Sequence, residues 1–318
     1  MASLLTQPCG LTLAFNLFFA AAAFLFGLVF GSFLNVCIYR LPRRLSIVTP
    51  RSACPNCHTQ IAAYDNIPVL SWLLLGGRCR HCKAPISPRY AVVELLTGFL
   101  FLGCFLAFGG PTLYALKGFV FCFLVLGLIF TDAETHLLPD ALTLPGIGLG
   151  LLFSVFVPLG GILEQHFSST SVLTGGFAWQ FLSFADSLVG AAIGGGMIYA
   201  VGEAYFRLRG VEGMGFGDVK LMALVGAFLG TTQSVFVLFL ASSVGAVYGI
   251  VVLQRVRNKR RRRYTRANRP DAEGRAKRSA ALVMRYMEIP FGAFLGGAAL
   301  FALFFGDSMI RWYFGLFR

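Results

Sequence analysis

Two aspartates stand at the ends of long apolar stretches: Asp132 in "FTDAETHLLPD", which begins at Phe130, and Asp218 in "GMGFGD". Ionisable side chains in or beside a membrane span are costly and usually serve a function. When two carboxylates come together they share one proton, because like charges at close range cannot both ionise. The neutral acid then polarises a carbonyl, while the ionised carboxylate takes a proton from a water held between them. Such a pair predicts hydrolysis of a peptide bond without a metal or a covalent intermediate.

Three glycines precede Asp218 at alternate positions, Gly213, Gly215 and Gly217. Glycine lets the backbone turn sharply and approach another chain closely. We therefore expect an extended substrate to lie against this segment. A structural alternative stays open at this point: Asp218 is simply the N-cap of the helix that follows, since aspartate is favoured at helix starts.

Four of the eight cysteines form two CxxC pairs, Cys54 and Cys57 in "CPNC" and Cys79 and Cys82 in "CRHC". Each pair offers two thiolates at the spacing of a zinc knuckle, and four thiolates complete a tetrahedral site. Because no position is left open for a substrate, we predict a structural zinc. Two disulfides, or redox thiols, are the alternative, and they are disfavoured in a reducing cytoplasm.

The elements that must position these residues are membrane helices. The chain is 57% hydrophobic and only 13% charged, with a mean hydropathy of +0.73. Apolar runs of 18 or more residues with few charges are typical of transmembrane helices, which satisfy their own backbone hydrogen bonds. We predict an all-α polytopic membrane protein with about eight spans. They are residues 13–38, 91–109, 111–131, 142–160, 184–206, 219–231, 234–254 and 289–306.

Charge predicts the orientation of the spans. Segment 40–90 carries eight Lys or Arg against one acid, segment 255–278 carries twelve against two, and residues 118–206 carry none. Basic loops stay in the cytoplasm. If the amino terminus is periplasmic, both basic segments fall on the cytoplasmic side, together with the junctions 132–141 and 207–218. Both aspartates then lie at the cytoplasmic boundary of the membrane.

The arginine-rich run "RVRNKRRRRYTRANR" follows the seventh span. A basic run beside a span is usually a topology signal that also contacts anionic membrane lipids. No nucleic-acid recognition fold surrounds it, so we predict lipid contact and no nucleic-acid binding.

Six motifs in order resemble those of the type IV prepilin peptidases, the bifunctional leader peptidases and N-methyltransferases of type IV pilus and type II secretion systems. Besides the paired CxxC, they are "GSFLNVCIYRLP" (31–42), "RYAVVELLTG" (89–98), "DAETHLLPD" (132–140), "GMGFGD" (213–218) and "IPFGAFLG" (289–296). The resemblance covers nearly the whole chain. It implies a GxGD-type aspartic membrane protease whose catalytic pair is Asp132 and Asp218.

The same resemblance implies the substrates and the second activity. The substrates are type IV prepilins and pseudopilins, with a short basic leader followed by a hydrophobic helix. The new amino terminus is then methylated with S-adenosylmethionine. No sequence motif marks the binding site for S-adenosylmethionine. Glu94 could bind the new ammonium, or it could be a helix-start acid favoured by the helix dipole. Asp140 belongs to a motif but is not a catalytic acid of the family, and we interpret it as a helix-start cap.

The predicted organisation has three parts: residues 1–39 form the first transmembrane helix, 40–90 a zinc-ribbon-like cytoplasmic loop, and 91–318 the transmembrane peptidase core. The core contains a long basic cytoplasmic loop, 255–287. Many members of the family have proline where this chain has Ala293.

Two other classes of function compete with the enzyme. A proton- or metal-coupled transporter with a zinc-binding regulatory loop would also place acids in its spans, but the sequence repeats neither aspartate motif, and inverted repeats are common in transporters. A non-enzymatic scaffold for pilus assembly would not need both aspartates.

Overall fold

The computed structural model describes residues 9–159, 178–210, 215–267, 271–286 and 290–316. These ranges contain nine α-helices and no β-strand. In chain order the helices are α1 Cys9–Arg40, α2 Leu70–Leu74, α3 Arg89–Ala107, α4 Leu113–Thr135, α5 Asp140–Phe156, α6 Ala178–Arg209, α7 Phe216–Arg266, α8 Ala272–Tyr286 and α9 Phe291–Gly315.

Six of these helices are long and apolar enough to cross a membrane: α1, α3, α4, α6, α7 and α9. Helix α5 is also apolar but has only 17 residues. Many large apolar side chains on the long helices are exposed, as expected for surfaces that face lipid. The prediction of an all-α, multi-pass membrane protein is confirmed.

Helix α7 is formally one element of 51 residues, but it reverses direction at Gly230, whose backbone is not helical (φ 80°, ψ −178°). Asp218 lies next to Gly292 at the start of α9, and the ring of Tyr248 lies 5.3 Å from that of Phe294 in the same turn. A straight helix would separate positions 218 and 248 by about 45 Å. The two halves therefore run antiparallel, and they correspond to the two separate spans predicted there.

Glycines let α6 pack closely against α7. A Cβ on Gly226 would collide with the carbonyl group of Gly190, and a Cβ on Gly194 would lie 2.6 Å from the carbonyl oxygen of Met222. Small residues are the usual means by which membrane helices bring their backbones together. The first half of α7, which carries Asp218, is thereby held against α6.

A core of buried apolar side chains joins α4, α7 and α9. It includes Phe121, Leu128, Leu224, Phe228 and Leu295, and the rings of Phe121 and Phe228 lie 5.2 Å apart. Close packing of this kind fixes helices relative to one another. It aligns the carboxyl end of α4 with the amino ends of α7 and α9, where the polar residues of interest lie.

The predicted basic loop 255–287 is helical over most of its length. Helix α7 continues to Arg266, and α8 packs against this extension. Arg257 pairs with Glu273 at 3.0 Å, while Ala276 and Ala280 are fully buried. Arginine, lysine and alanine are strong helix formers, which explains why the segment is helical and not an extended loop.

Candidate active site

Asp132 lies in the last turn of α4 and is only 6% exposed. The helix ends at Thr135, and His136 follows in a left-handed conformation with φ 52°. Oδ2 of Asp132 accepts a hydrogen bond of 2.9 Å from the backbone N–H of Ala293, in the first turn of α9. A helix end and a helix start thus meet at this carboxylate.

Asp218 is the third residue of α7 and is 7% exposed. The N-cap of this helix is Gly215, which makes no side-chain cap. The alternative interpretation of Asp218 as an N-cap is therefore wrong. Its place in the first turn still suits a carboxylate, because the amino end of a helix dipole is positive.

The bare α-carbon of Gly292 brings the two aspartates together. A methyl group added there would lie 2.9 Å from Oδ2 of Asp132 and 3.1 Å from Oδ1 of Asp218. Both carboxylates therefore border one methyl-sized space, although they come from different helices. Neither sequence motif by itself predicts that this third residue, from the last helix, completes the arrangement.

The predicted glycine segment is described only in part. Gly213 lies outside the described residues. Gly215 has extended backbone, and a Cβ there would meet little. Gly217 is needed for packing within the protein, because a Cβ at this position would lie 2.9 Å from the Cβ of Leu138. This glycine allows α7 to approach the segment that follows Asp132.

Two ion pairs tie neighbouring elements to this end of the bundle. Nζ of Lys220 lies 2.5 Å from Oδ1 of Asp140, which joins α7 to α5. Pro139 occupies the N-cap of α5 and Asp140 is its first helical residue, so the prediction that Asp140 caps the helix is wrong. Arg89 pairs with Glu134, which joins the start of α3 to the end of α4, two residues beyond Asp132.

The four predicted metal ligands come together. Their Sγ atoms all lie within 4.8 Å of one another, with separations of 3.8 Å between Cys54 and Cys82 and 4.0 Å between Cys57 and Cys79. Zinc–sulfur bonds of about 2.3 Å place tetrahedral sulfurs about 3.8 Å apart. A disulfide would require about 2.05 Å. The cluster therefore has the dimensions of a tetrahedral metal site.

Hydrogen bonds favour the thiolate form of one of these cysteines, Cys82. Nδ2 of Asn56 contacts the Sγ of Cys82 at 3.5 Å. Together with the backbone of Ala84, this contact lowers the pKa of Cys82 to about 6. Thiolates are the form that binds metals. Neither His58 nor His81 belongs to the cluster that the described residues form.

The two knuckles have the same local geometry. The N–H groups of Cys54 and Cys79 donate to carbonyls five residues later, at 3.0 and 2.9 Å, and the residue four positions after each of these cysteines donates back to its carbonyl. Those residues, His58 and Lys83, both adopt positive φ, 56° and 59°. Near the knuckles, the guanidinium of Arg80 bonds Asp65 and lowers the pKa of that carboxyl.

Glu94 lies where α1, α3 and the cysteine-bearing segment 40–90 meet. The residue is 8% exposed, and its carboxylate accepts a hydrogen bond of 2.7 Å from the backbone N–H of Val69, a residue with φ 62°. A Cβ on Gly31 of α1 would lie 2.7 Å from the Cα of Glu94. No acidic residue lies in the first turn of α3, so the helix-dipole interpretation of Glu94 is wrong.

Asn35, which sequence reasoning missed, joins α1 to the start of α3. Its Nδ2 donates a hydrogen bond of 3.0 Å to the carbonyl of Tyr90, and the residue is 3% exposed. The motif from 31 to 42 contains this residue. A buried amide in an apolar helix is a signal for a specific partner, because an unpaired one would be costly.

Comparison with known proteins identifies the family of this chain. Residues 25–108 match the bacterial peptidase A24 N-terminal domain, and residues 119–250 match the type IV leader peptidase family. A protein of Aeromonas hydrophila named prepilin leader peptidase/N-methyltransferase is 38% identical over 316 residues, which cover 91% of this chain and 92% of that protein. This chain belongs to the type IV leader peptidase family.

Other relatives with the same name agree with this membership. One from Burkholderia pseudomallei (strain 1026b) is 33% identical and covers 96% of this chain and 89% of its own length. One from Pseudomonas aeruginosa is 33% identical, with 93% of each chain covered. No solved structure matches the chain significantly. The resemblance inferred from the motifs is confirmed, as is the expectation that the chain is an enzyme.

Proposed function

We propose that this leader peptidase family member removes the basic leader from type IV prepilins and pseudopilins at the cytoplasmic face of the inner membrane. It then N-methylates the new amino terminus with S-adenosylmethionine. The observation that supports the peptidase most directly is the pair of carboxylates bordering the space at Gly292. The names of the relatives support the substrate and the second activity.

In the proposed hydrolysis, the aspartates Asp132 and Asp218 share one proton around a water. The ionised carboxylate removes a proton from the water, whose oxygen attacks the scissile carbonyl carbon. The protonated carboxyl donates a hydrogen bond, and then its proton, to the carbonyl oxygen. As the intermediate collapses, the C–N bond breaks and the leaving nitrogen takes the proton that the first carboxylate had acquired. At the same time a hydroxyl of the intermediate returns a proton to the second carboxylate and becomes the carbonyl of the product. The dyad ends with one proton, as it began.

The position of the dyad suits a substrate that is half membrane-embedded. Both aspartates lie at helix ends on the same side of the bundle, and the Arg89–Glu134 pair joins this side to the segment that carries the cysteines. A hydrophobic helix of the substrate can stay in the lipid while its leader extends into water. We propose that this side is cytoplasmic, because it carries the basic segments.

We propose that the three parts predicted from the sequence have separate roles. Residues 91–318 contain the peptidase aspartates, and residues 40–90 bind zinc. Cys54, Cys57, Cys79 and Cys82 fit zinc by the separations of their sulfur atoms. Zinc would supply folding energy to a loop of about fifty residues, which is too small for a large apolar core. It takes no part in the hydrolysis proposed above.

Methylation must follow cleavage, because the methyl acceptor is the amine that cleavage releases. The cofactor supplies an electrophilic methyl group on a positively charged sulfonium. The residue that suits this chemistry best is Glu94, a buried carboxylate beside the metal loop, since both the sulfonium and an ammonium are cations. We propose that Glu94 lines the methylation site.

Mass spectrometry of a co-expressed prepilin tests the function, because loss of the leader and gain of a methyl group change the mass independently. Asp132→Asn and Asp218→Asn should each leave the precursor intact while the protein stays in the membrane. Asp140→Asn is the matched control, because this acid lies at the same end of the bundle but pairs with Lys220. Cleavage by either dyad variant at the wild-type rate would overturn the proposal.

A further inference from the structure

Two buried hydrogen-bond acceptors lie in the contact between α1 and α3 without a cation to balance them. Nδ2 of Asn35 donates to the carbonyl of Tyr90, but Oδ1 of the same side chain is buried and has no partner among the described residues. The carboxylate of Glu94 accepts a hydrogen bond from the N–H of Val69. Within the described ranges it forms no ion pair with a lysine or arginine. Because buried acceptors without partners are costly, the two groups point to a positively charged ligand with several N–H donors.

The spacing along both helices places these acceptors in one interface. A Cβ on Gly31 would lie 2.7 Å from the Cα of Glu94. Asn35, four residues after Gly31, bonds Tyr90, which is four residues before Glu94. Residues four apart lie on the same face of a helix. Asn35 and Glu94 are therefore about one helical turn apart in the same contact, each five residues from the end of α1 or the start of α3.

We infer that Asn35 is a substrate-binding residue of the methylation site and that, together with Glu94, it binds the amino group that leader cleavage releases. The inference rests on the proposed methyltransferase activity. A protonated primary amine carries three N–H donors and a positive charge, which match an amide oxygen beside a carboxylate. The amino terminus of a cleaved pilin begins a hydrophobic helix, so it lies at the membrane boundary. Both acceptors lie at that level, within two turns of their helix ends.

The two acceptors have different tasks in the reaction. The carboxylate of Glu94 takes one proton from the bound ammonium, and this frees the nitrogen lone pair. That lone pair forms the new N–C bond as the S–C bond of the methyl donor breaks, and the electron pair of the broken bond stays on sulfur. The carboxyl group of Glu94 then releases its proton to water. The amide of Asn35 has no proton to exchange, so its oxygen only orients the amine.

The test measures how tightly the full-length protein in detergent binds a fluorescent peptide that begins at the cleaved amino terminus of a pilin. The peptide is used with a free amine and with an acetylated amine, which has no charge and a single N–H. The wild type should bind the free amine at least about ten-fold more tightly, because hydrogen bonds to charged groups are worth that much. Asn35→Leu should remove most of this preference. Its leader cleavage and its affinity for S-adenosylhomocysteine should stay within about two-fold of the wild type, since neither uses the amide.

Asn35→Asp separates binding of the amine from the structural bond to Tyr90. An aspartate keeps an oxygen acceptor for the ammonium but, when ionised, cannot donate to the Tyr90 carbonyl. It should therefore retain the preference for the free amine, whereas a role confined to the Tyr90 bond predicts that it fails as Asn35→Leu does. Cys37→Ala, at another buried position of α1, is the control for a loosened helix and should bind both peptides as the wild type does.

Four outcomes would overturn the inference. They are a full preference for the free amine in Asn35→Leu, a lost preference in Asn35→Asp, an equal loss in Cys37→Ala, or a weakened affinity for S-adenosylhomocysteine alone. The last result would make the ammonium of the cofactor the ligand. If Asn35→Leu does not fold, the result with Asn35→Asp decides. A wild-type protein that cannot methylate a cleaved pilin would instead refute the proposed second activity.

Discussion

The α-carbon of Gly292 lies so close to Asp132 that a single methyl group on it would come within 2.9 Å of the carboxylate oxygen Oδ2. Carbon and oxygen atoms that are not bonded to each other prefer about 3.5 Å or more. The glycine is thus required by a side chain from another helix and not by its own backbone conformation. It is also the residue through which the last helix reaches both aspartates.

Gly292→Ala should abolish cleavage while leaving the protein folded. The added methyl group fills the space between the carboxylates, and a misplacement of about 1 Å at a reacting centre can cost about 100-fold in rate. Gly297→Ala is the control, because a Cβ at this position of α9 meets nothing within 4 Å. Rates of prepilin cleavage in detergent would compare the two variants, and equal activity would contradict the arrangement.

Asp218→Asn should separate the two activities. On a full-length precursor it should yield neither product, because the methyl acceptor is never released. The variant should still transfer a labelled methyl group from S-adenosylmethionine to a pilin that is supplied already cleaved. Methyl transfer needs an aligned amine and no proton-sharing acid pair. A folded Asp218→Asn protein that transfers no label would show that the two sites are not separable.

The cysteine cluster should bind one zinc per chain in the reduced, purified protein, as a single four-thiolate site requires. Cys54→Ser or Cys79→Ser should lower the zinc content measured by atomic emission and should impair methylation more than cleavage. Cys122→Ser is the control, because this buried cysteine lies near Cys104 and outside the cluster. Disulfides within the CxxC pairs and an absence of metal would refute the zinc site.

Gly230→Ala should destabilise the protein. The residue has φ 80°, and a Cβ there would collide with the Asp186 carboxylate. Backbone with positive φ and ψ near 180° is essentially restricted to glycine and costs other residues about 1–3 kcal/mol, so the unfolding temperature in detergent should fall by several degrees. Gly245→Ala in the same helix is the control, since its Cβ would meet nothing within 4 Å and alanine favours a helix. Equal stability of the two variants would contradict the strained reversal.

The sequence was sufficient where the information is local. Apolar runs predicted the spans, including the two antiparallel halves of α7, because the cost of placing a segment in lipid is a sum over its own residues. The CxxC spacing predicted the ligand cluster, because each knuckle is a turn of a few residues. The helices that cover 255–266 and 272–286 were not predicted, because the dense positive charge of this segment favoured a solvated loop.

Contacts between distant segments were decided only by the tertiary structure. The sequence pointed to Asp132 and Asp218, but not to the N–H of Ala293 that binds one of them or to the bare α-carbon of Gly292 that both of them border. It also did not reveal the contact between Glu94 and the backbone of Val69. Such contacts depend on how whole helices pack, and packing is set by side-chain shape over many residues at once. A backbone N–H is also the same in every residue but proline, so no letter of the sequence marks the one that meets a carboxylate.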